Sequence, residues 1–164
     1  MESESRFRQI TAVAAHPLAE LLDCPSAAGS ALTISTEYLE LGAGEVVFRQ
    51  NGTCKGLYLL VSGAFVRRAE RIDARLTLGP ARPGDLVELA AALGDGRHTY
   101  TLTALTAGSL LLLPIAALHE AFENYPPLRM RLLEELAREV SRAYLACCTN
   151  RTDRRGRRAN SPAQ

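Results

Sequence analysis

The chain of 164 residues lacks the features that mark membrane and secreted proteins. The longest apolar run in its second half, 110–118, contains Pro114 and falls short of the roughly 20 residues that span a bilayer. Its first residues, Met1–Glu4, are acidic, whereas a secretory signal begins with basic and then apolar residues. We therefore expect a cytoplasmic protein with no membrane association.

Motifs that carry catalysis or bind metals are also missing. The sequence contains no GxSxG, HExxH, P-loop or GxGxxG pattern, so we expect no catalytic residues and no enzyme activity. Its cysteines form neither a CxxC pair nor the Cys/His spacing of a zinc site, so no metal site is predicted. They are Cys24, Cys54, Cys147 and Cys148. In a reducing cytoplasm the adjacent Cys147 and Cys148 are expected to stay reduced, with oxidation sensing as the alternative.

Lysine is nearly absent, and the charge is unevenly placed. The net charge is +1, and Lys55 is the single lysine among the basic residues. The segment after Asn150 carries five arginines against one acidic residue, Asp153. Such a basic tail can attract nucleic acid or an acidic partner. Chain ends are usually solvated, however, so we predict a disordered tail over 149–164 without a specific role.

Helical periodicity occurs at both ends of the chain. Apolar residues at helical spacing predict an N-terminal helical segment within 1–30. Pro114 suits the first turn of a short helix over 115–123, because its missing N–H has no partner to lose there. A last helix is predicted from Leu128 to Cys147.

The apolar residues of this last helix recur every three or four positions as a narrow stripe. The residues of this predicted dimer stripe are Leu132, Leu136, Val140, Ala143 and Cys147. A stripe so narrow favours pairing with a second copy of the chain. Packing of the helix on the remainder of a monomer is the alternative.

Between residues 31 and 113 the pattern changes to β-structure. Short apolar runs alternate with glycines, which predicts strands near 38–41, 46–49, 57–61, 64–68, 76–78, 99–104 and 109–113. Gly63 lies between two of these runs and suits a tight hairpin turn that needs a positive φ. Strands at this density imply a sandwich or barrel, and a chain of 164 residues with 47% apolar content supplies one such domain.

Three glycine-bounded stretches within Gly44–Ala104 carry a family resemblance. They read GEVVFRQNG, LYLLVSGAF and PGDLVELAAALGDGRHTYTLTA, and they resemble the cyclic nucleotide-binding domain of the catabolite-activator/Fnr (Crp/Fnr) superfamily. The resemblance covers about Leu32 to Cys147. It implies an antiparallel β-roll of jelly-roll topology over 31–148 with flanking helices. It also implies a homodimer through the last helix, which forms one wall of an effector pocket.

The resemblance sets limits on function as well. Iron–sulfur members of the Fnr branch use an N-terminal cysteine cluster, but Cys24 alone precedes the first predicted strand, so no cluster is expected. Transcription regulators of the superfamily continue into a winged helix-turn-helix. The residues after Cys148 leave no room for one, so we expect no sequence-specific DNA binding by this chain alone.

The family's effector cassette is matched in part. The family places Gly-Glu at the start of a short helix, an Arg ten residues after the Glu, and then Ser or Thr. Glu88 and Thr99 fall on the Glu and Ser/Thr positions, which implies that Glu88 binds a ribose hydroxyl. Val87 stands at the Gly position and His98 at that of the phosphate-binding Arg. The candidate ligand-binding residues are Gly84, Val87, Glu88, Leu89, Arg97, His98, Thr99, Tyr100 and Tyr144.

These departures leave three hypotheses about the pocket. In the first, it binds a small effector other than the family's usual one. In the second, Val87 and Tyr144 fill it, which leaves a dimeric protein-interaction module. In the third, a one-residue bulge lets Arg97 replace the missing Arg, so that cAMP or cGMP still binds.

We favour a stand-alone sensor domain whose effector shifts the dimer helix. The sensory half of a split Crp/Fnr-type transcription regulator is a further alternative, in which a partner protein carries the DNA-binding domain.

Overall fold

The computed structural model of the protein describes residues 35–71 and 74–159. The N-terminal helical segment predicted within 1–30, and Cys24 with it, lies outside these ranges. In chain order the strands are β1 Glu37–Leu41, β2 Val46–Phe48, β3 Gly56–Ser62, β4 Phe65–Arg71, β5 Ala74–Ala81, β6 Leu86–Val87, β7 Thr101–Ala104 and β8 Gly108–Pro114. The helices are α1 Leu89–Leu93, between β6 and β7, and α2 Ile115–Asn124 and α3 Pro127–Ala159 after β8.

Two four-stranded sheets form the body of the domain. The first has the order β1-β8-β3-β6 and the second the order β2-β7-β4-β5, and all their pairings are antiparallel. The predicted antiparallel β-roll with flanking helices is therefore confirmed.

The central strands β3 and β8 separate two apolar cores. Because side chains alternate across a strand, successive residues contribute to opposite faces of the first sheet. The core between the two sheets contains Tyr58, Leu60, Leu110 and Leu112. The core under the helices contains Leu57, Leu59, Leu111 and Leu113. Burial on both faces explains why β8 is a run of four leucines rather than an alternating pattern.

Gly56 and Gly63 lie at positions where the neighbouring backbone leaves no room for a side chain. Gly63 joins β3 to β4 with a φ of 89°, so the predicted turn with a positive φ is present. The two strands belong to different sheets, however, so the turn connects the sheets and is not the predicted hairpin. A Cβ on Gly56 would collide with the carbonyl oxygen of Leu113, its neighbour on β8. Both glycines therefore let β3 and the turn after it approach β8 closely.

Helix α2 begins directly after Pro114, as predicted, but α3 is longer than predicted. It continues through 149–159, the segment that the sequence analysis assigned to a disordered tail. Arginine favours helices, and the helix meets no glycine before Gly156. Among the described residues, no helix is both long and apolar enough to cross a membrane.

The stripe predicted for dimerisation is divided between two faces of α3. Leu132 is 2% exposed in the core under the helices, and Leu136 packs against that core. Val140 is 58% exposed on the outside. Each step of four residues turns a helix about 40° beyond a full turn, so a stripe built from such steps drifts off the buried face. The side chains of Ala143 and Cys147 lie outside the description.

Candidate effector site

A short backbone pairing decides where the cassette side chains point. Asn51 N donates to His98 O at 2.8 Å, His98 N to Gly52 O at 2.9 Å, and Cys54 N to Gly96 O at 2.7 Å. Within this pairing Thr53 lies opposite Arg97 as an isolated antiparallel bridge. Because neighbours in extended chain point to opposite sides, Arg97 is exposed while His98 and Cys54 are buried.

Arg97 is held on the surface by its own neighbours. Its guanidinium donates from Nη1 to the carbonyl oxygen of Asn51 at 3.0 Å, and its backbone N–H donates to Asp95 Oδ1 at 3.0 Å. The structure therefore does not bring Arg97 into the cassette as the bulge hypothesis requires.

His98 contacts Glu88 inside the protein. Its Nδ1 lies 2.8 Å from Glu88 Oε2, and its ring stacks on Phe48 with the centroids 3.9 Å apart. Thr99 Oγ1 donates to Glu88 Oε1 at 3.2 Å. The residues at the family's Arg and Ser/Thr positions thus contact the cassette carboxylate themselves.

Glu88 adopts a left-handed backbone conformation directly before α1, with a φ of 71°. A positive φ is uncommon for a residue with a side chain and is found more often at functional sites. Burial raises the pKa of the Glu88 carboxyl, while the hydrogen bonds from His98 and Thr99 oppose that rise.

The other predicted site residues lie outside the contact between His98 and Glu88. Val87 is buried between the sheets, and Leu89 is buried under the helices. Gly84 lies in an exposed turn with a φ of 92°. Tyr144 is 69% exposed on α3, so it does not fill a pocket in this structure.

Tyr100 forms part of a polar cluster between the second sheet and α3. We call this cluster the Arg67 site and define it by Arg67 of β4, Tyr100 just before β7 and Glu139 of α3. Arg67 Nη1 donates to Glu139 Oε1 at 3.3 Å and Nη2 to the carbonyl oxygen of Leu78 at 3.3 Å. The guanidinium carbon lies 5.8 Å from the centroid of the Tyr100 ring.

Two polar atoms of the Arg67 site are buried without a hydrogen bond, namely Arg67 Nε and the hydroxyl of Tyr100. Burial raises the pKa of Tyr100, while the charge of Arg67 and a backbone contact with Glu88 oppose that rise. Burial also raises the pKa of Glu139, against the opposing charges of Arg67 and Arg142. The Arg67 site therefore contains two donors without acceptors, and a carboxyl group, that of Glu139, whose charged form burial disfavours.

Arg67 and Glu139 were not predicted from the sequence, although the sequence carries a signal for both. Arg67 lies two residues after the buried Phe65 and so falls on the same face of β4. Glu139 lies two helical turns after the buried Leu132. A charged residue on an otherwise buried face marks a position that needs a partner.

Cys54 joins His98 and Glu88 in a second polar cluster. The nearest ligand atoms of the three side chains lie within 4.8 Å of one another. Cys54 Sγ donates to the carbonyl oxygen of Gly56 at 3.2 Å, and burial raises the pKa of the thiol. Thiol, carboxyl and imidazole groups are the side chains that hold zinc in proteins.

Comparison with known proteins agrees with this fold. Residues 38–125, more than half of the chain, match the sequence model of the cyclic nucleotide-binding domain. The chain belongs to this family, as the resemblance in its sequence predicted. No helix-turn-helix occurs among the residues that the structure describes.

One curated relative matches this chain over only part of its own length. The Pycsar effector protein BcPycTIR from Burkholderia cepacia is 29% identical over 108 residues, which cover 63% of this chain and 33% of that protein. The chain thus spans about a third of the length of this curated relative.

Two solved structures share the fold. The sensor domain of the transcriptional regulator DNR from Pseudomonas aeruginosa is 21% identical, with a TM-score of 0.62, over 72% of this chain and 89% of that one. The catabolite activator protein of Thermus thermophilus is 24% identical, with a TM-score of 0.66, over 81% of this chain and 62% of that one.

Proposed function

We propose that this chain is a regulatory domain that senses a small anionic effector at the Arg67 site. The observation that carries the proposal is the pair of buried donors without partners, Arg67 Nε and the Tyr100 hydroxyl. Buried polar atoms are nearly always hydrogen-bonded, so two unpaired donors within one cluster indicate an acceptor supplied from outside. The proposal gives the chain no catalytic role.

The chemistry of the site favours a phosphate-bearing effector. Glu139 already contacts Arg67 through a carboxylate oxygen at 3.3 Å, which is the type of contact an anionic effector makes. His98 stands at the position of the family's phosphate-binding Arg, but its ring nitrogen already contacts the carboxyl group of Glu88. We therefore assign the anion contact to Arg67, and a cyclic nucleotide such as cAMP or cGMP is the first effector class to test.

The proposed signal is a change in the position of α3. An effector anion competes with Glu139 for Arg67, and loss of that contact releases α3 from β4. Such a shift requires that the effector bind one arrangement of α3 more tightly than the other.

The outer face of α3 offers a surface through which a shift can be transmitted. Its exposed residues at alternating spacings of three and four form what we call the outer stripe: Met130, Leu133, Ala137, Val140 and Tyr144. This is the heptad pattern of helices that pair with one another. We propose a homodimer through the outer stripe, in place of the stripe predicted from sequence.

Calorimetric titration with a panel of purine and pyrimidine 3′,5′-cyclic nucleotides tests the effector proposal. Wild-type protein should bind at least one of them, and Arg67→Met should weaken that binding at least tenfold. Arg68→Met is the matched control, because Arg68 is the next residue of β4 and is exposed. Glu139→Gln should tighten binding, since it removes the competing charge. Equal losses in the two arginine variants would contradict the assignment.

A ligand-free interaction module is the second candidate. The contacts of Glu88 with His98 and Thr99 favour it, because they occupy the group that would bind a ribose hydroxyl. If no cyclic nucleotide binds and the dimer forms without one, this candidate takes first place. Co-purification with a DNA-binding protein would instead support the sensory half of a split regulator.

The name of the Burkholderia cepacia relative describes an effector protein, of which the matched part is about a third. That proportion supports a regulatory domain that acts on other domains or on a partner protein.

A further inference from the structure

We propose that Cys54, Glu88 and His98 form a binding site for a thiophilic divalent cation such as Zn²⁺. The three side chains are 5%, 2% and 3% exposed, and their ligand atoms lie within 4.8 Å of one another. Thiolate, carboxylate and imidazole are the common zinc ligands. None of the three ligands is a residue of the Arg67 site, so the two sites can be tested with separate variants.

The charges of the three ligands suit a buried cation. An isolated charge is costly to bury, so a buried metal site must be close to neutral. A thiolate and a carboxylate supply two negative charges, and neutral imidazole supplies none. With Zn²⁺ the cluster has no net charge. On binding, the Cys54 thiol gives up its proton, and the contact between His98 and Glu88 is exchanged for one bond from each residue to the ion.

The backbone already holds the ligands near each other. Cys54 and His98 lie on the two paired segments, which the hydrogen bonds of Cys54 N to Gly96 O and of His98 N to Gly52 O join. Glu88 reaches them from its left-handed position before α1. Bonds of about 2.0–2.3 Å in a tetrahedron place ligand atoms about 3.5 Å apart, so small side-chain rotations suffice.

Neighbouring groups orient two of the ligands. Thr99 Oγ1 donates to Glu88 Oε1 at 3.2 Å, and Phe48 stacks on the ring of His98 at 3.9 Å between centroids. Such outer contacts fix ligand orientation at metal sites, and their loss weakens metal binding about 10- to 100-fold. Three protein ligands leave a fourth position for water or a small molecule, as at open zinc sites.

Cobalt titration of the untagged full-length chain tests the proposal. The changes Cys24→Ser, Cys147→Ser and Cys148→Ser together leave Cys54 as the single thiol. This chain should bind one Co²⁺ with a thiolate-to-cobalt absorption band and the visible bands of tetrahedral cobalt, and Zn²⁺ should abolish both. Bound metal should also protect Cys54 from alkylation.

Variants then assign the ligands. Adding Cys54→Ser should remove the thiolate band, His98→Gln should weaken binding at least 100-fold, and Thr99→Val should weaken it about 10- to 100-fold. His119→Gln, on the exposed face of α2, should change nothing. Circular dichroism and urea unfolding without metal check that each variant folds.

The chain with Cys54 as its single thiol tests the metal-site proposal even if a ligand variant fails to fold. Absence of a thiolate band and of protection from alkylation in that folded chain would overturn the metal site, and so would a band that survives in folded His98→Gln. The three residues are then a hydrogen-bonded cluster of the core. Arg67→Met should leave cobalt binding unchanged, so failure of the effector proposal remains distinguishable from failure of this one.

Discussion

His98 Nδ1 lies 2.8 Å from Glu88 Oε2, and both side chains are shielded from solvent. The resemblance in the sequence placed these residues at the phosphate-binding and ribose-binding positions of the family. In the structure they contact each other and the core instead. Arg67 lies near Tyr100 and α3, and its guanidinium contacts a carboxylate of α3. Changes at Glu88 should therefore affect folding first, and changes at Arg67 should affect ligand binding first.

Glu88→Ala should lower the free energy of unfolding by about 1–3 kcal/mol, because it leaves the buried ring nitrogen of His98 without its hydrogen-bond partner. Thr99→Val removes one hydrogen bond to the same carboxylate and should cost about 1 kcal/mol. Urea unfolding of both variants with a chelator present measures the difference. Equal midpoints for Glu88→Ala and wild type would show that the pair is not a structural contact.

Glu139→Gln should change how stability depends on pH. Burial raises the pKa of Glu139 above the ordinary value of 4.5, so the folded state holds that proton more tightly than the unfolded state. The contribution of Glu139 is therefore fully present below pH 4.5 and is lost as the pH rises through the raised pKa. Glutamine does not titrate, so the variant should gain stability relative to wild type as the pH rises from 4 to 7.

Melting temperatures of Glu139→Gln and wild type across that range measure the effect. A difference that stays constant, or that favours wild type more at higher pH, would contradict the assignment.

Tyr100→Phe should separate stability from ligand binding. The hydroxyl is buried without a hydrogen bond, so its removal should leave the free energy of unfolding unchanged or raise it by about 1 kcal/mol. If the hydroxyl donates to the effector, the same change should weaken effector binding. Urea unfolding and calorimetry on one preparation give both values. A loss of stability above about 1 kcal/mol would mean that the hydroxyl has a partner within the protein, such as the Glu88 backbone.

Two changes on α3 should have opposite effects on assembly and on stability. Val140→Glu, in the outer stripe, should convert a dimer into a monomer and leave the monomer folded, because Val140 is exposed. Leu132→Ala should instead cost about 2–5 kcal/mol of stability, because Leu132 is buried. Analytical ultracentrifugation and urea unfolding measure the two effects. A monomeric wild type, or a dimer that persists in Val140→Glu, would contradict the proposal that the outer stripe is the dimer interface.

Much of the fold could be predicted from local features of the chain. Gly63 was assigned to a tight turn with a positive φ, and its φ of 89° agrees, although β3 and β4 lie in different sheets and form no hairpin. Helix α2 begins after Pro114 because proline at that position loses no hydrogen bond. The end of α3 was predicted poorly, since arginines that suggested a solvated tail are also good helix formers.

The candidate sites were harder to predict, because their members come from distant parts of the chain. No spacing rule connects Cys54 to Glu88 and His98, which the structure places within 4.8 Å of one another. Arg67 and Glu139 meet only because the fold brings α3 within reach of the Arg67 side chain. A search for charged residues on buried faces could have identified Arg67 and Glu139 singly, but it could not have shown that they contact each other.

By itself the sequence determined the family and the β-roll, because glycine positions and side-chain alternation act over a few neighbouring residues. Only the tertiary structure decided which side chains the site presents. The pairing of Thr53 with Arg97 turns that arginine outward and His98 inward, and a shift of one residue would reverse both. Such a register depends on contacts between segments that are far apart in the chain, which local sequence patterns do not encode.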